Sequence, residues 1–161
     1  MLEINNTTAE KINARKLRAI AEKFSRAYKQ SDDISLALVG PLRIKRLNLK
    51  YRGLNKATDV LSFTAENEII INIADTKKPE KYREMLAELN MDIRTAFKVT
   101  SKDATREMNA TGAARKKRLS EYLLYFLFVH GLLHLAGYDD KTEPGRREMI
   151  KKGRDFLKNM L

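Results

Sequence analysis

The run from Leu119 to Ala136, LSEYLLYFLFVHGLLHLA, constrains this chain more than any other segment. It is apolar on nearly every side, and a helix without a polar face must be wrapped by the rest of its own domain or by lipid. Its most apolar part, Tyr122 to Ala136, falls short of the roughly 20 apolar residues of a bilayer span. It is also interrupted by His130 and His134. The expectation is a buried central helix with layers around it, and no membrane. A chain of 161 residues can build one such core, so residues 1–161 are expected to form a single domain.

The flanking segments supply candidate layers. Residues 1 to 5 suit a short strand. Thr7 and Glu10 then have capping-box spacing, and Leu17, Ile20, Phe24 and Tyr28 recur at helical intervals, which predicts a first helix ending near Gln30. Ile34 to Val39 reads as a strand, stopped by Gly40-Pro41, which starts a second helix running to about Tyr51. On that helix Ile44, Leu47 and Tyr51 line one side, expected to enter the core, and Arg43, Arg46 and Lys50 line a basic side. Asp59 to Phe63 and Glu68 to Ile73 are separated by a short polar connection that suits an antiparallel hairpin. Pro79 to Asn90 has a helical pattern, whereas Met91 to Ala114 is polar and weakly periodic, as in an irregular insertion. After the central helix, Gly137 stands where a left-handed terminal residue is wanted, and a basic helix from Pro144 onward closes the chain.

The chemistry gathers at the end of the central helix. The only two histidines, His130 and His134, are four residues apart and so share one helix face, about one turn from each other. Alone, this spacing also describes two packed core histidines. The continuation H-G-L-L-H-L-A-G-Y-D-D adds a glycine turn and Asp140 as a third donor. Two imidazoles and a carboxylate make an open three-ligand metal site with a fourth position for water, the pattern of catalytic zinc. With no cysteine in the chain, neither a disulfide framework nor a thiolate site is available, which fits a reducing, cytoplasmic setting. The N-terminus MLEINNTTAEK lacks the features of a secretory signal. Zinc peptidases of the H-E-x-x-H type carry a general-base glutamate directly after the first histidine. That position is Gly131 here, which argues against peptide hydrolysis.

A second element runs from Leu47 through Asn48, Tyr51 and Arg52 to Ala57-Thr58-Asp59-Val60-Leu61-Ser62-Phe63. Arg52, at a helix end, can aim a permanently charged guanidinium at a phosphate oxygen, or else form a surface ion pair. Thirty-two Lys and Arg against 21 Asp and Glu give a formal charge of +11, which attracts polyanions and makes nucleic acid the natural candidate partner. A merely charged surface is the plain alternative.

Together the two segments resemble the YbeY family, whose members show H-G-x-L-H-L-x-G-Y-D-H and an upstream Leu-Asn, Tyr-Arg, Thr-Asp-Val-Leu-Ser-Phe block. His130 to Asp140 match the first motif and Leu47 to Phe63 the second. The resemblance implies a single-domain α+β fold, a small mixed sheet packed with helices, and one zinc ion on the buried helix. It further implies endoribonuclease activity on single-stranded RNA in ribosomal RNA maturation and ribosome quality control, with the small ribosomal subunit as partner. By motif position, His130, His134 and Asp140 are the metal ligands and Arg52 the catalytic arginine. Asp59, Ser62 and Tyr138 are expected to shape the pocket. This chain departs from the pattern where the family's third ligand is histidine and Asp140 stands instead, with Asp139 beside it. Thr64 replaces a usual proline, Asn67-Glu68 a usual Gly-Asp pair, and residues of about 91–113 look inserted. Asp140 also keeps open a rival reading, a non-catalytic RNA-binding or ribosome-assembly protein with a degenerate metal site. Oligomeric state is not legible.

Overall fold

The computed structural model of the chain describes residues 1–30, 33–88 and 112–160. Strand β1 (Leu2–Asn6) leads through helix α1 (Ala14–Tyr28) to β2 (Ile34–Val39), followed by α2 (Pro41–Arg52), β3 (Val60–Phe63) and β4 (Glu68–Asn72). Two short 3₁₀ turns, Asp75–Lys77 and Pro79–Tyr82, precede α3 (Arg83–Glu88). The long helix α4 (Gly112–Leu135) and the closing helix α5 (Glu143–Lys158) complete the described chain. This is the expected single-domain α+β fold.

The strands form one sheet in the order β1-β2-β4-β3, parallel between β1, β2 and β4, with β3 antiparallel to β4 at one edge. The sheet is therefore mixed, and the hairpin expected from the sequence is present. Side chains of a strand point alternately to the two faces, and here both faces are covered. Leu36, Leu38, Ile69 and Ile71 join the main core built with α1 and α4. Ala37, Val39, Ile70 and Leu61 form a smaller core on the other face, into which α2 inserts Ile44. Helix α4 lies on the main face as its composition requires: Tyr122 to Val129 are all buried. Among the described residues no helix is long and apolar enough to cross a membrane.

One glycine shows how tightly α4 sits on the sheet. A Cβ on Gly131 would lie 2.7 Å from Cγ2 of Ile69, a fully buried side chain of β4. The position following the first histidine thus faces the sheet at a distance that excludes any side chain. Glutamate is absent there for a packing reason, and the peptidase arrangement has no room to form.

Three local expectations are corrected. Helix α1 starts at Ala14, capped by Asn13, whose side-chain oxygen accepts the Lys16 N–H at 3.0 Å, and not at Thr7. Thr7 instead donates both its N–H and its hydroxyl to the Leu38 carbonyl, continuing the β1–β2 ladder, so the parallel pairing claims the residue that local spacing offered to a helix. On α2, Tyr51 is 55% exposed, whereas Asn48 is buried beside Ile44 and donates to the Lys56 carbonyl at 2.8 Å. The helix ends at Gly53 with φ +70, and Asn48 ties down the loop that follows. Finally, residues 112–114 belong to α4; the rest of the expected insertion lies outside the described residues.

Candidate metal centre

The last turns of α4 carry His130 and His134 with ring centroids 4.8 Å apart and ring planes nearly perpendicular. The helix then stops by the route its glycine permits. Gly137 has φ +89, its N–H bonds the His134 carbonyl, and the Tyr138 N–H bonds the Leu133 carbonyl, both at 3.0 Å. This is a Schellman termination, which satisfies the last carbonyls while reversing the chain. The reversal returns Asp140 to the histidines, with Oδ2 3.2 Å from Nε2 of His130 and 3.7 Å from Nε2 of His134.

These three side chains offer one donor atom each, all within 4.8 Å of one another. The donor set and its spacing fit a metal ion. Atoms arranged tetrahedrally at about 2.1 Å from zinc stand roughly 3.4 Å apart, and the two carboxylate–imidazole distances bracket that value. His134 is also set in the required tautomer: its Nδ1 lies 3.0 Å from the Tyr138 carbonyl, which can only accept, so the proton sits on Nδ1 and Nε2 presents its lone pair. Tyr138 was expected to shape the pocket, and its backbone oxygen is what orients His134.

Of the two adjacent aspartates the structure separates the roles. Asp139 accepts the Lys141 N–H at 2.8 Å and pairs with the Lys141 ammonium at 3.1 Å, away from the histidines. The loop is held against α5 by a contact only glycine allows. A Cβ on Gly145 would stand 2.4 Å from the Asp139 carbonyl oxygen, and the Gly145 N–H bonds the hydroxyl of the helix cap Thr142. Nothing in the local sequence pattern flags Gly145, because the contact spans a turn whose shape is set by packing.

The charges of the group suit metal binding near neutral pH. The hydrogen bond to His130 is the main cause holding the Asp140 carboxyl down at about 2, against the opposing effect of partial burial. His134 is held below its ordinary range first by burial and then by neighbouring His130. Both shifts favour the deprotonated, ligating forms. The His134 contribution is present above its ordinary value and lost as pH falls through the lowered one; the Asp140 contribution persists until pH falls toward 2. Metal retained after dialysis at stepped pH is therefore expected to drop as pH falls below about 6.5, with imidazole protonation as the cause. Retention that fails only as pH falls toward 2, where the Asp140 carboxyl takes up its proton, would assign the ion to the carboxylate and remove His134 from the site.

The centre opens into a cleft of about 870 Å³. Arg52, from the end of α2, lines it together with Asp59, Ser62, Tyr82 and Tyr138, so every pocket residue expected from sequence is present on one wall or another. Arg146 of α5 also lines it and was expected only as part of a basic helix. The Asp59 carboxylate is engaged by Lys81, which also bonds the buried Asp75 at 2.7 Å. The Ser62 hydroxyl is different: it is buried in the cleft wall and has no hydrogen-bond partner among the described residues.

A mixed α+β domain that presents two imidazoles and a carboxylate in an arginine-lined cleft defines a class of single-domain proteins whose side chains could hold one metal ion at an open site. The comparison with known proteins narrows this class. The profile described as Endoribonuclease YbeY matches residues 2–161, and the chain belongs to that family. Similar relatives include the Endoribonuclease YbeY of Ligilactobacillus salivarius (strain UCC118), 31% identical over 96% of this chain and 91% of the relative. That of Limosilactobacillus reuteri (strain DSM 20016) is also 31% identical, over 97% and 94%.

Proposed function

We propose that residues 1–161 form one metal-dependent endoribonuclease domain that cleaves single-stranded RNA in the maturation of ribosomal RNA and in ribosome quality control. It would work in the cytoplasm and on the small ribosomal subunit, with zinc as its single ion. The observation that carries the reading is the meeting of His130, His134 and Asp140 with Arg52 in one cleft. Family membership supplies the substrate class, and the +11 charge agrees with a polyanionic substrate.

His130, His134 and Asp140 hold the ion, which supplies Lewis-acid polarisation and a source of acidified water when bound. Arg52 faces the phosphate and stabilises the charge that develops on its non-bridging oxygens. Tyr138 keeps His134 in its ligating tautomer throughout, since its carbonyl never has to move.

The test is cleavage of a labelled, unstructured RNA by the purified chain. Cleavage is expected to stop with a chelator and to return with zinc, while a duplex of the same sequence survives. RNA that is retained but never cut, with or without added metal, would support the rival reading of a binding protein whose Asp140 has ended catalysis.

A further inference from the structure

The loop and helix from Gly40 to Thr58 carry six cations, Arg43, Lys45, Arg46, Lys50, Arg52 and Lys56, and no Asp or Glu. All six are exposed, and none forms an ion pair among the described residues. Helix α5 is basic too, but its charges are largely answered at home: Arg146 and Arg147 pair with Glu143, Lys152 with Glu148 and Arg154 with Asp155. The same α2 segment also displays the large exposed apolar side chains found among the described residues. Apart from Met1, these are Leu42, Leu49, Tyr51 and Leu54. Unanswered positive charge interleaved with an aromatic and aliphatic surface matches a chain that offers phosphates and bare bases together, which is single-stranded nucleic acid. A duplex hides its bases, and an acidic protein would leave unexplained why the surface runs into the cleft.

That continuity is specific. Tyr51 directly precedes Arg52, which lines the cleft. Its ring packs edge-on against Phe63 at 5.0 Å between centroids, and Phe63 directly precedes Thr64, another cleft residue. The ring is thus propped on Phe63, each of the two being the chain neighbour of a cleft residue, while 55% of Tyr51 stays exposed. The Lys50 ammonium lies 4.9 Å from the ring centroid, on a flexible stem that can yield to a base and take up a phosphate instead.

We propose that the outer face of α2 and its exit loop form the track along which single-stranded RNA reaches the cleft, with Tyr51 as the stacking platform for one base at its mouth. The proposal rests on the endoribonuclease reading of the cleft for its direction, but not on any metal chemistry. Tyr51 selects unstacked RNA, and Lys45, Arg46 and Lys50 follow its backbone.

The experiment is fluorescence anisotropy of the full chain with labelled, unstructured RNA of about 12 nucleotides. Chelator is present so that nothing is cut, and binding is read at several salt concentrations. Tyr51→Ala is expected to weaken binding by about 5- to 150-fold with an unchanged salt slope, the signature of lost stacking. Tyr51→Phe should bind within about twofold of the parent, because the ring and not the hydroxyl is the platform. The pair Lys45→Ala with Arg46→Ala should lower the slope of log affinity against log salt by about 1.4, roughly 0.7 per lost phosphate contact. Circular dichroism melting confirms that each variant is folded. Parent-like binding by Tyr51→Ala, or a loss that phenylalanine does not restore, would overturn the platform, and an unchanged salt slope in the double variant would overturn the track. Because binding is read without metal, a chain that binds through Tyr51 yet never cleaves defeats the nuclease reading alone. A chain that cleaves but ignores Tyr51 defeats this proposal alone.

Discussion

Asp140→Ala is expected to empty the metal centre and to lower RNA cleavage by more than about 100-fold. Loss of a residue that merely orients a ligand already costs 10- to 100-fold in metal affinity or activity, and here a ligand itself disappears. Only two imidazoles would remain, on one helix face, with no third donor among the described residues placed to replace the carboxylate: Asp139 is turned to Lys141 and Asp59 to Lys81. The measurement is elemental mass spectrometry of purified protein beside the cleavage assay. Near one ion per chain in the parent and background in Asp140→Ala and His134→Ala is the expected result. Asp140→His should keep its metal, since imidazole nitrogen and carboxylate oxygen are both competent zinc donors at similar distances. Metal found in Asp140→His but not in the parent would end the catalytic reading and leave an RNA-binding relative of the nucleases.

Arg52→Ala is expected to reduce cleavage by about 100- to 1,000-fold, the usual cost of removing one donor from a developing anion, while leaving metal content intact. The separation is the informative part. Arg52 comes from α2, on the opposite face of the sheet from α4, and is not among the three side chains that could hold the metal. Its loss therefore leaves the donor group untouched. Arg52→Lys should recover only part of the activity, because an ammonium cannot make the two parallel hydrogen bonds of a guanidinium to a phosphate. Metal lost together with activity in Arg52→Ala would show that the arginine holds the site together, and unchanged activity would remove it from the chemistry.

Legibility followed the range of the interaction. The burial of α4, the pairing of His130 with His134 on one face and the turn at Gly137 all follow from spacings of a few residues, and the sequence displayed them. The β3–β4 hairpin was legible for the same reason. The start of α1 was misplaced because Thr7 had a local use, as a cap, and a distant one, in the ladder with Leu38, and the distant one prevailed. Tyr51 was expected inside because the periodicity of α2 puts it in line with Ile44. Asn48 is buried there instead, and its side-chain N–H donates to the Lys56 carbonyl.

By itself the sequence determined that a helix lies buried at the centre of one domain, that its end carries two imidazoles a turn apart, and that an aspartate follows a reversing glycine. These are properties of short segments, set by side-chain period and backbone freedom. Only the tertiary structure decided that Asp140 and not Asp139 faces the histidines, that the Tyr138 carbonyl selects the tautomer of His134, and that Arg52 reaches the same cleft from the far side of the sheet. It alone put Ile69 where Gly131 must stay bare. Each of those outcomes depends on strand register and on how closely helices seat against the sheet, and close packing fixes such distances through contacts between segments remote in the chain.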